Sequence, residues 1–222
     1  MLAENYHQIK ATIEKAAFKV GRNPREIKLI AVTKSASLED TQKAAELGIK
    51  NFGVNRVQEE TAKVESLPGV NWHFIGHLQR NKVKYIMPLY AMVQTLDRLS
   101  LARELQRWAE KNEREIDVLI QVNISGEDSK FGLAPQEVSS FLDQAQSFKR
   151  LNIKGLMAMA AFVDDPEEAR LYFRQLRQLR DENVSKGLAL PELSMGMTND
   201  YAVAIEEGAT MVRVGRALFG WK

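Results

Sequence analysis

The sequence predicts an α/β protein folded as a single-domain (β/α)8 TIM barrel, and three observations carry that prediction. Eight short apolar segments recur along the 222 residues. Between successive segments, apolar residues are spaced by three and four, as in amphipathic helices. The apolar segments are nearly continuous, which is typical of parallel strands covered on both faces. Eight repeats leave no room for a second domain, so we expect one domain over residues 1–222. An open doubly wound sheet is the competing architecture.

An extra helix is expected before the first strand. Ile9, Ile13 and Ala17 belong to a row of apolar residues at helical spacing, which predicts an amphipathic helix over residues 3–20. Gly21 follows it and favours termination.

The eight predicted strands share continuous runs of apolar residues. The first is Ile27–Thr33, and the fifth, Ile116–Ile124, is predicted to be long and buried. Their positions along the chain are near residues 28, 51, 72, 92, 118, 153, 192 and 211.

The helices between these strands are predicted from apolar periodicity and from their boundary residues. Ser37 stands three residues before Asp40, which resembles a capping box. Pro88 closes the third helix of the series. The polar, glycine-bounded stretch Ser125–Leu133 is expected to be a long, mobile loop. The predicted helices cover residues 37–47, 55–67, 78–88, 99–113, 135–148, 166–183 and 200–207.

Composition excludes several functional classes. The chain carries 31 basic and 29 acidic side chains, so its charge indicates neither a nucleic acid nor an anionic membrane as the main partner. Because there is no cysteine, disulfides, thiolate nucleophiles and thiolate metal sites are excluded. The amino end lacks the apolar core of a signal peptide, and no run approaches membrane-spanning length, so we expect a cytosolic protein.

In a barrel of this kind, functional residues lie at the carboxyl ends of the strands. Applied to the first strand, this rule selects Lys34. Applied to the second, third, fifth and sixth strands, it selects Asn55, His77, Asn123 and Met157. A lysine in that position suits a phosphorylated carbonyl substrate or a Schiff-base cofactor, although a plain surface lysine has the same sequence pattern.

The loops after the seventh and eighth strands are suited to a phosphate. Ser194, Gly196 and Thr198 precede a helix whose amino end favours an anion, and Gly215 and Arg216 follow the last strand. Phosphate sites of this fold use these two loops. The alternative is that the hydroxyls are plain helix caps and the glycine a plain turn.

A metal site is not expected. His73 and His77 are four residues apart, but they lie on a strand and the following loop, and no carboxylate cluster joins them. Signatures of nucleotide-binding loops and of serine hydrolases are also absent from the sequence.

Six segments, in order along almost the whole chain, match a known family: "LIAVTK", "FGVNRVQE", "WHFIGHLQRNK", "VLIQVNISGEDSKFG", "GLMAMA" and "LSMGMTNDYAVAIEEGATMVRVGRALFG". Through them the chain resembles the YggS/PROSC family of pyridoxal 5′-phosphate (PLP) homeostasis proteins. The fold of that family is similar to the barrel domain of bacterial alanine racemase, which is fold type III among PLP proteins.

The resemblance implies roles for ten residues. It implies that Lys34 forms the Schiff base with PLP and that Arg213 faces the pyridine nitrogen. The phosphate-holding positions that it implies are Ser194, Gly196, Thr198, Gly215 and Arg216. The residues that it implies along the ring pocket are Asn55, His77 and Met157. One departure is visible: the family usually reads Gly-Glu-Asn where this chain has Gly53-Val54-Asn55, so the role of that glutamate cannot be carried over.

The resemblance also bears on catalysis. PLP accepts electrons best when its ring nitrogen is protonated, and an arginine at that position would leave it unprotonated. The related racemases take a second base, a tyrosine, from a separate domain, whereas Tyr201 lies on the phosphate side. We therefore expect a monomeric PLP carrier without robust catalysis, with apo-PLP enzymes as possible recipients. The alternatives are a low-activity amino-acid racemase and a regulatory protein whose PLP-bound state a partner recognises.

Overall fold

The computed structural model describes residues 1–127 and 129–220, without the side chains of residues 57–59. Across the described residues, eight parallel strands close into a barrel, and the last strand pairs with the first. The predicted (β/α)8 barrel is confirmed, and the open doubly wound sheet is wrong. The strands are β1 (Lys28–Val32), β2 (Asn51–Val54), β3 (Asn71–Phe74), β4 (Met92–Leu96), β5 (Ile116–Val122), β6 (Leu151–Ala158), β7 (Glu192–Ser194) and β8 (Met211–Val214).

Helices surround the barrel, and most of their bounds differ from the predicted ones by a few residues, with two larger differences. The segment predicted as a helix over residues 78–88 has a 3₁₀ turn at Arg80–Lys82 and only one α-helical turn, Val83–Ile86. The sequence pattern does not predict the last helix, because four residues are too few to show a period. The helices are α1 (Leu2–Lys19), α2 (Leu38–Glu46), α3 (Val57–Ser66), α4 (Val83–Ile86), α5 (Leu99–Lys111), α6 (Val138–Ala145), α7 (Arg170–Val184), α8 (Tyr201–Glu206) and α9 (Arg216–Phe219).

The extra helix α1 packs against the last two helices of the chain. Ile9 on its apolar side is buried. The Asn5 side-chain amide donates a hydrogen bond to the Leu218 carbonyl at 3.0 Å, and Arg22 donates to the Ile205 carbonyl at 2.9 Å. These bonds tie the amino end to α8, which precedes β8, and to α9, which follows it, on the side of the barrel where β8 meets β1.

Apolar and polar side chains share the inside of the barrel. The large apolar layer lies between the strands and the helices, as expected for a barrel covered by helices. A smaller apolar group lies inside the barrel and consists of Ile30, Met92, Leu119, Met157 and Met211. The buried polar residues of the strands that are relevant to the site are His73, Gln94, Ser194 and Arg213.

A β-bulge interrupts β6. Val118 of β5 pairs with Ile153, but the next residue of β5 pairs with Gly155, so Lys154 is left out of the register. Gly155 has a φ of +156°, and a Cβ there would lie 1.8 Å from the Glu192 carbonyl oxygen of the neighbouring strand. Glycine is therefore required at this point of close strand approach.

Candidate functional site

The carboxyl ends of β1, β6, β7 and β8 surround a cavity of about 530 Å³. Five of the predicted site residues line this cavity: Lys34, Thr198, Arg213, Gly215 and Arg216. The other five do not line it: Asn55, His77, Met157, Ser194 and Gly196. Sequence reasoning missed several lining residues, among them Ser35, Lys130, Met159, Phe162, Asn199 and Asp200.

Lys34 stands on the rim of the cavity. Strand β1 ends at Val32, Thr33 is buried, and Lys34 is exposed. The Lys34 side chain is therefore open to solvent at the edge of the cavity. Within the described part of the chain, no carboxylate forms an ion pair with its amine, which is therefore accessible from the cavity.

Another lysine holds the loop that carries Lys34. The Lys63 amine, on α3, donates hydrogen bonds to the carbonyl of Thr33 at 3.1 Å and to the carbonyl of Ala36 at 2.8 Å. The Thr33 hydroxyl donates to the buried Glu60 carboxylate at 2.6 Å. Contacts on both sides of Lys34 therefore fix its backbone from outside the cavity.

The start of α2 completes this loop. The Ser37 hydroxyl accepts a hydrogen bond from the Asp40 amide at 2.9 Å, which confirms the predicted cap.

The loop after β7 depends on a glycine with left-handed backbone geometry. Gly196 has a φ of +89°, and a Cβ there would lie 2.5 Å from the Ala204 Cβ and 2.9 Å from the Tyr201 Cα. The loop can therefore pack against α8 only with glycine at this position. This close packing brings the following residues, Thr198 and Asp200, to the cavity wall.

Asp200 is a buried carboxylate in the same loop. It accepts a hydrogen bond from the Met197 amide at 2.5 Å. Burial raises the pKa of Asp200, while that amide and the positive charge of Arg213 act in the opposite direction.

Arg213 is a buried cation that reaches the cavity from β8. Its guanidinium donates to the Ser194 hydroxyl oxygen at 2.6 Å and to the Ala158 carbonyl at 2.8 Å. Burial lowers the pKa of Arg213 to about 10, and the Asp200 carboxylate acts in the opposite direction. Its predicted position near a bound ring stays a prediction, but the protein contacts that hold it are now defined.

The Ser194 hydroxyl is used by neighbouring protein groups. Besides accepting from Arg213, it donates to the Gln94 side-chain oxygen at 2.6 Å. The Gln94 amide nitrogen lies 3.1 Å from His73 Nδ1, and His73 Nε2 lies 3.3 Å from the Asn51 side-chain oxygen. Sequence reasoning missed Gln94, because one glutamine in an apolar strand does not reveal which polar group it faces.

The buried ring of His73 has a pKa well below that of a free histidine. Burial lowers the pKa of His73 to about 4, and the positive charge of Lys28 lowers it further, while Glu192 acts in the opposite direction. The ring is therefore neutral at physiological pH.

His77 and Asn55 lie on other loops of the barrel mouth. The His77 ring stacks on Phe131, with centroids 3.8 Å apart and planes 20° from parallel. Burial lowers the pKa of His77, and Asp97, whose carboxylate lies 3.6 Å from Nδ1, opposes that effect. The Asn55 side-chain oxygen is buried with no hydrogen-bond partner among the described residues. The ring-pocket roles of His77 and Asn55 stay predictions.

Met157 and Val54 belong to the apolar packing of the barrel. Met157 lies in the small apolar group inside it, whereas Met159, two residues further on, lines the cavity. Val54 is fully buried in the layer between strands and helices.

The cavity is rich in positive charge. Arg216, the first residue of α9, is exposed, and in the described chain no carboxylate pairs with it. Lys130 also lines the cavity but is engaged, because its amine donates to Glu127 at 2.6 Å and to the Ala160 carbonyl at 3.0 Å. With Lys34 and Arg213, these cations favour an anionic ligand.

The predicted loop Ser125–Leu133 is organised by one side chain. Asn123 donates to the carbonyls of Glu127 and Lys130 at 2.9 and 3.3 Å, and it accepts from the Gly126 amide at 3.1 Å. Asn123 therefore has a structural role in this loop, part of which, residue 128, lies outside the described residues.

Residues 1–127 and 129–220 contain no group of three or more His, Cys, Asp or Glu side chains that could hold a metal ion. No helix among them is long and apolar enough to cross a membrane.

Comparison with known proteins first defines the class. The family model described as alanine racemase, N-terminal domain, matches residues 2–222. An alanine racemase structure from Clostridium difficile 630 covers all of this chain with 56% of its own, at a TM-score of 0.76 and 15% identity. That likeness shows the shared barrel fold, and the chain spans just over half of the racemase.

Curated relatives then define the family within that class: the chain belongs to the family of pyridoxal phosphate homeostasis proteins. The relative from Aquifex aeolicus is 42% identical over 220 residues, which are 98% of this chain and 96% of the relative. The relative from Escherichia coli K12 is 36% identical and covers 99% of this chain. A structure of PipY from Synechococcus elongatus with PLP bound has a TM-score of 0.85 and 31% identity, covering 99% of this chain and 100% of its own.

Proposed function

We propose that this chain binds PLP in the cavity at the mouth of the barrel and serves intracellular PLP and amino-acid homeostasis as a carrier. The observation that carries the proposal is the composition of that cavity. An accessible lysine, a buried arginine and a second, exposed arginine line the same space: Lys34, Arg213 and Arg216. The names of the relatives and the PLP-bound PipY structure support the same ligand.

The groups of the cavity fit the chemistry of this cofactor. PLP supplies an aldehyde that condenses with an amine, a phosphate, and a ring that accepts electrons when its nitrogen is protonated. Lys34 would hold the cofactor through a Schiff base. Thr198, Arg216 and the backbone at Gly215 would hold its phosphate, and Arg213 would face its ring nitrogen.

Two lysines line the cavity, and their contacts favour Lys34 as the covalent anchor. The Lys130 amine is bound to a carboxylate and a carbonyl, whereas Lys34 has no such carboxylate among the described residues. An amine that must react is better placed without an ion pair, because pairing keeps it protonated.

The carrier role, without robust catalysis, is supported by the same residues. Arg213 is donor-only and would leave the ring nitrogen unprotonated. Within the described residues, no tyrosine or histidine lines the cavity, and its one carboxylate, Asp200, is bound to a backbone amide. The described cavity wall therefore offers no second base for racemisation. We further propose a single domain over residues 1–222 and a cytosolic monomer that passes PLP to apo-PLP enzymes.

Absorption spectra of three proteins test the anchor. Wild type, Lys34→Ala and Lys130→Ala are each mixed with PLP, and the visible band of a protonated Schiff base is recorded. We expect the band in wild type and Lys130→Ala and its loss in Lys34→Ala. Retention in Lys34→Ala, or loss only in Lys130→Ala, would overturn the assignment of Lys34.

Incubation of the PLP-loaded protein with L-alanine or D-alanine tests the carrier role. We expect optical rotation to stay constant over many equivalents of amino acid. Racemisation by wild type that Lys34→Ala abolishes would favour the racemase alternative instead.

A further inference from the structure

A row of buried polar side chains crosses the inside of the barrel behind Arg213. It runs from Arg213 through Ser194 and Gln94 to His73, with separations of 2.6, 2.6 and 3.1 Å between hydrogen-bonding atoms. It ends at Asn51 on β2, 3.3 Å from His73. The first four residues are each at most 4% exposed, so water does not substitute for these contacts.

The direction of every hydrogen bond in this row follows from its first member. A guanidinium has only donors, so the Ser194 oxygen accepts from Arg213 and its own proton goes to the Gln94 oxygen. Gln94 must then present its amide nitrogen to His73, and a second contact of that nitrogen, 3.5 Å from the Met211 sulfur, agrees with this orientation.

His73 consequently carries its proton on Nε2. Nδ1 has to accept from Gln94, and Nε2 donates to the Asn51 oxygen. Asn51 accepts a second hydrogen bond from the Asn71 amide at 3.2 Å, which fixes that oxygen in place. In this row each residue therefore donates to the next, from Arg213 at the cavity to Asn51, the first residue of β2.

We propose that Gln94 and His73 are positioning residues for Arg213. They hold the Ser194 proton away from the guanidinium, so that the Ser194 oxygen stays available as its acceptor and the remaining donors of Arg213 face the cavity. Without an acceptor on Gln94, the serine proton can turn toward the guanidinium and oppose it, donor against donor. The consequence for PLP binding rests on the function proposed above, whereas the direction of the hydrogen bonds in the row does not.

Nuclear magnetic resonance of the protein without cofactor tests the direction of the hydrogen bonds in the row. The ¹⁵N shifts and couplings of the His73 ring identify which nitrogen carries the proton. We expect a neutral ring protonated on Nε2 at pH 7. A ring protonated on Nδ1, or doubly protonated, would overturn the proposal whether or not the chain binds PLP.

A set of four variants tests the effect on the cavity through PLP titrations. Gln94→Leu and His73→Leu remove an acceptor, and we expect each to weaken PLP binding roughly tenfold, the equivalent of one hydrogen bond. In His73→Asn the amide oxygen replaces Nδ1 as acceptor, so we expect affinity within about twofold of wild type. Asn183→Leu is the matched control, because Asn183 is a buried amide bonded to Ser139 and the Leu179 carbonyl, away from the barrel interior.

The pattern of affinities decides between positioning and mere packing. Equal weakening in His73→Asn and His73→Leu, or weakening in Asn183→Leu as large as in Gln94→Leu, would overturn the positioning role. If neither the wild type nor any variant binds PLP, the proposed function fails. The tautomer of His73 still tests the hydrogen bonds of the row in that case.

Discussion

Acidification should charge His73, and the protein should lose stability as that happens. The ring is buried, it accepts from Gln94 at Nδ1, and the positive Lys28 lies nearby. A proton added to Nδ1 would face the amide nitrogen of Gln94, which is a donor. The unfolded chain carries no such penalty and binds the proton near pH 6.5.

The size of this effect follows from the pKa of His73 in the unfolded state and its pKa in the folded state. The pKa of His73 falls from 6.5 to about 4 on folding, so the unfolded state binds more protons throughout that interval. The stability that the neutral ring contributes is complete above pH 6.5 and is lost as the pH falls through 4. The difference corresponds to about 3 kcal/mol, a large part of the ~5–15 kcal/mol typical of a folded domain.

Urea unfolding of wild type and His73→Asn across this range measures the effect. Asparagine keeps an acceptor for Gln94 but does not titrate, so carboxylates and His77 contribute equally to both proteins. We expect the free energy of unfolding of wild type to fall by about 3 kcal/mol more than that of the variant between neutral pH and pH 4. Parallel curves for the two proteins would refute the reasoning.

Three other substitutions have outcomes set by the geometry of the site. Gly196→Ala should lower the free energy of unfolding by about 3 kcal/mol or more in thermal unfolding, because its Cβ would overlap α8. The control is Gly21→Ala, which also has a positive φ but has no atom near the added Cβ, and it should cost only about 1 kcal/mol. Lys63→Met should lower the free energy of urea unfolding by about 1–3 kcal/mol, because it leaves the Ala36 carbonyl without its donor and the Thr33 carbonyl with only the Ala36 amide. Lys43→Met removes an exposed ion pair and should change little. Arg216→Ala should weaken PLP binding about tenfold in absorbance titrations and leave binding of pyridoxal, which lacks the phosphate, unchanged; equal loss for both ligands would contradict a phosphate contact.

The architecture was accessible from the sequence because it depends on periodicity. Apolar runs that alternate with helical patterns specify a barrel covered by helices, and the rule for strand ends then selects Lys34, Thr198 and Arg216, which do line one cavity. Such positions follow from the chain order of the strands, so no knowledge of side-chain packing is needed.

The rest depends on contacts between segments far apart in the chain. Ser194 reads as a loop hydroxyl, but its two partners, Gln94 and Arg213, occupy its donor and its acceptor capacity. The exposure of Lys34 likewise follows from how Lys63 holds the loop from α3, 29 positions further along the chain. No local pattern encodes which polar groups meet inside a barrel.

The bulge in β6 sets the alternation of every side chain that follows it in that strand. Before Lys154, odd-numbered residues such as Ile153 pack outward; after it, Leu156 packs outward while Met157 points inward and Met159 lines the cavity. Removal of one residue here would exchange the two faces and turn Met159 toward the helices. The number of residues in β6 therefore determines which of its side chains line the cavity. A single-residue deletion in this strand would change the cavity wall just as a substitution of a lining residue does.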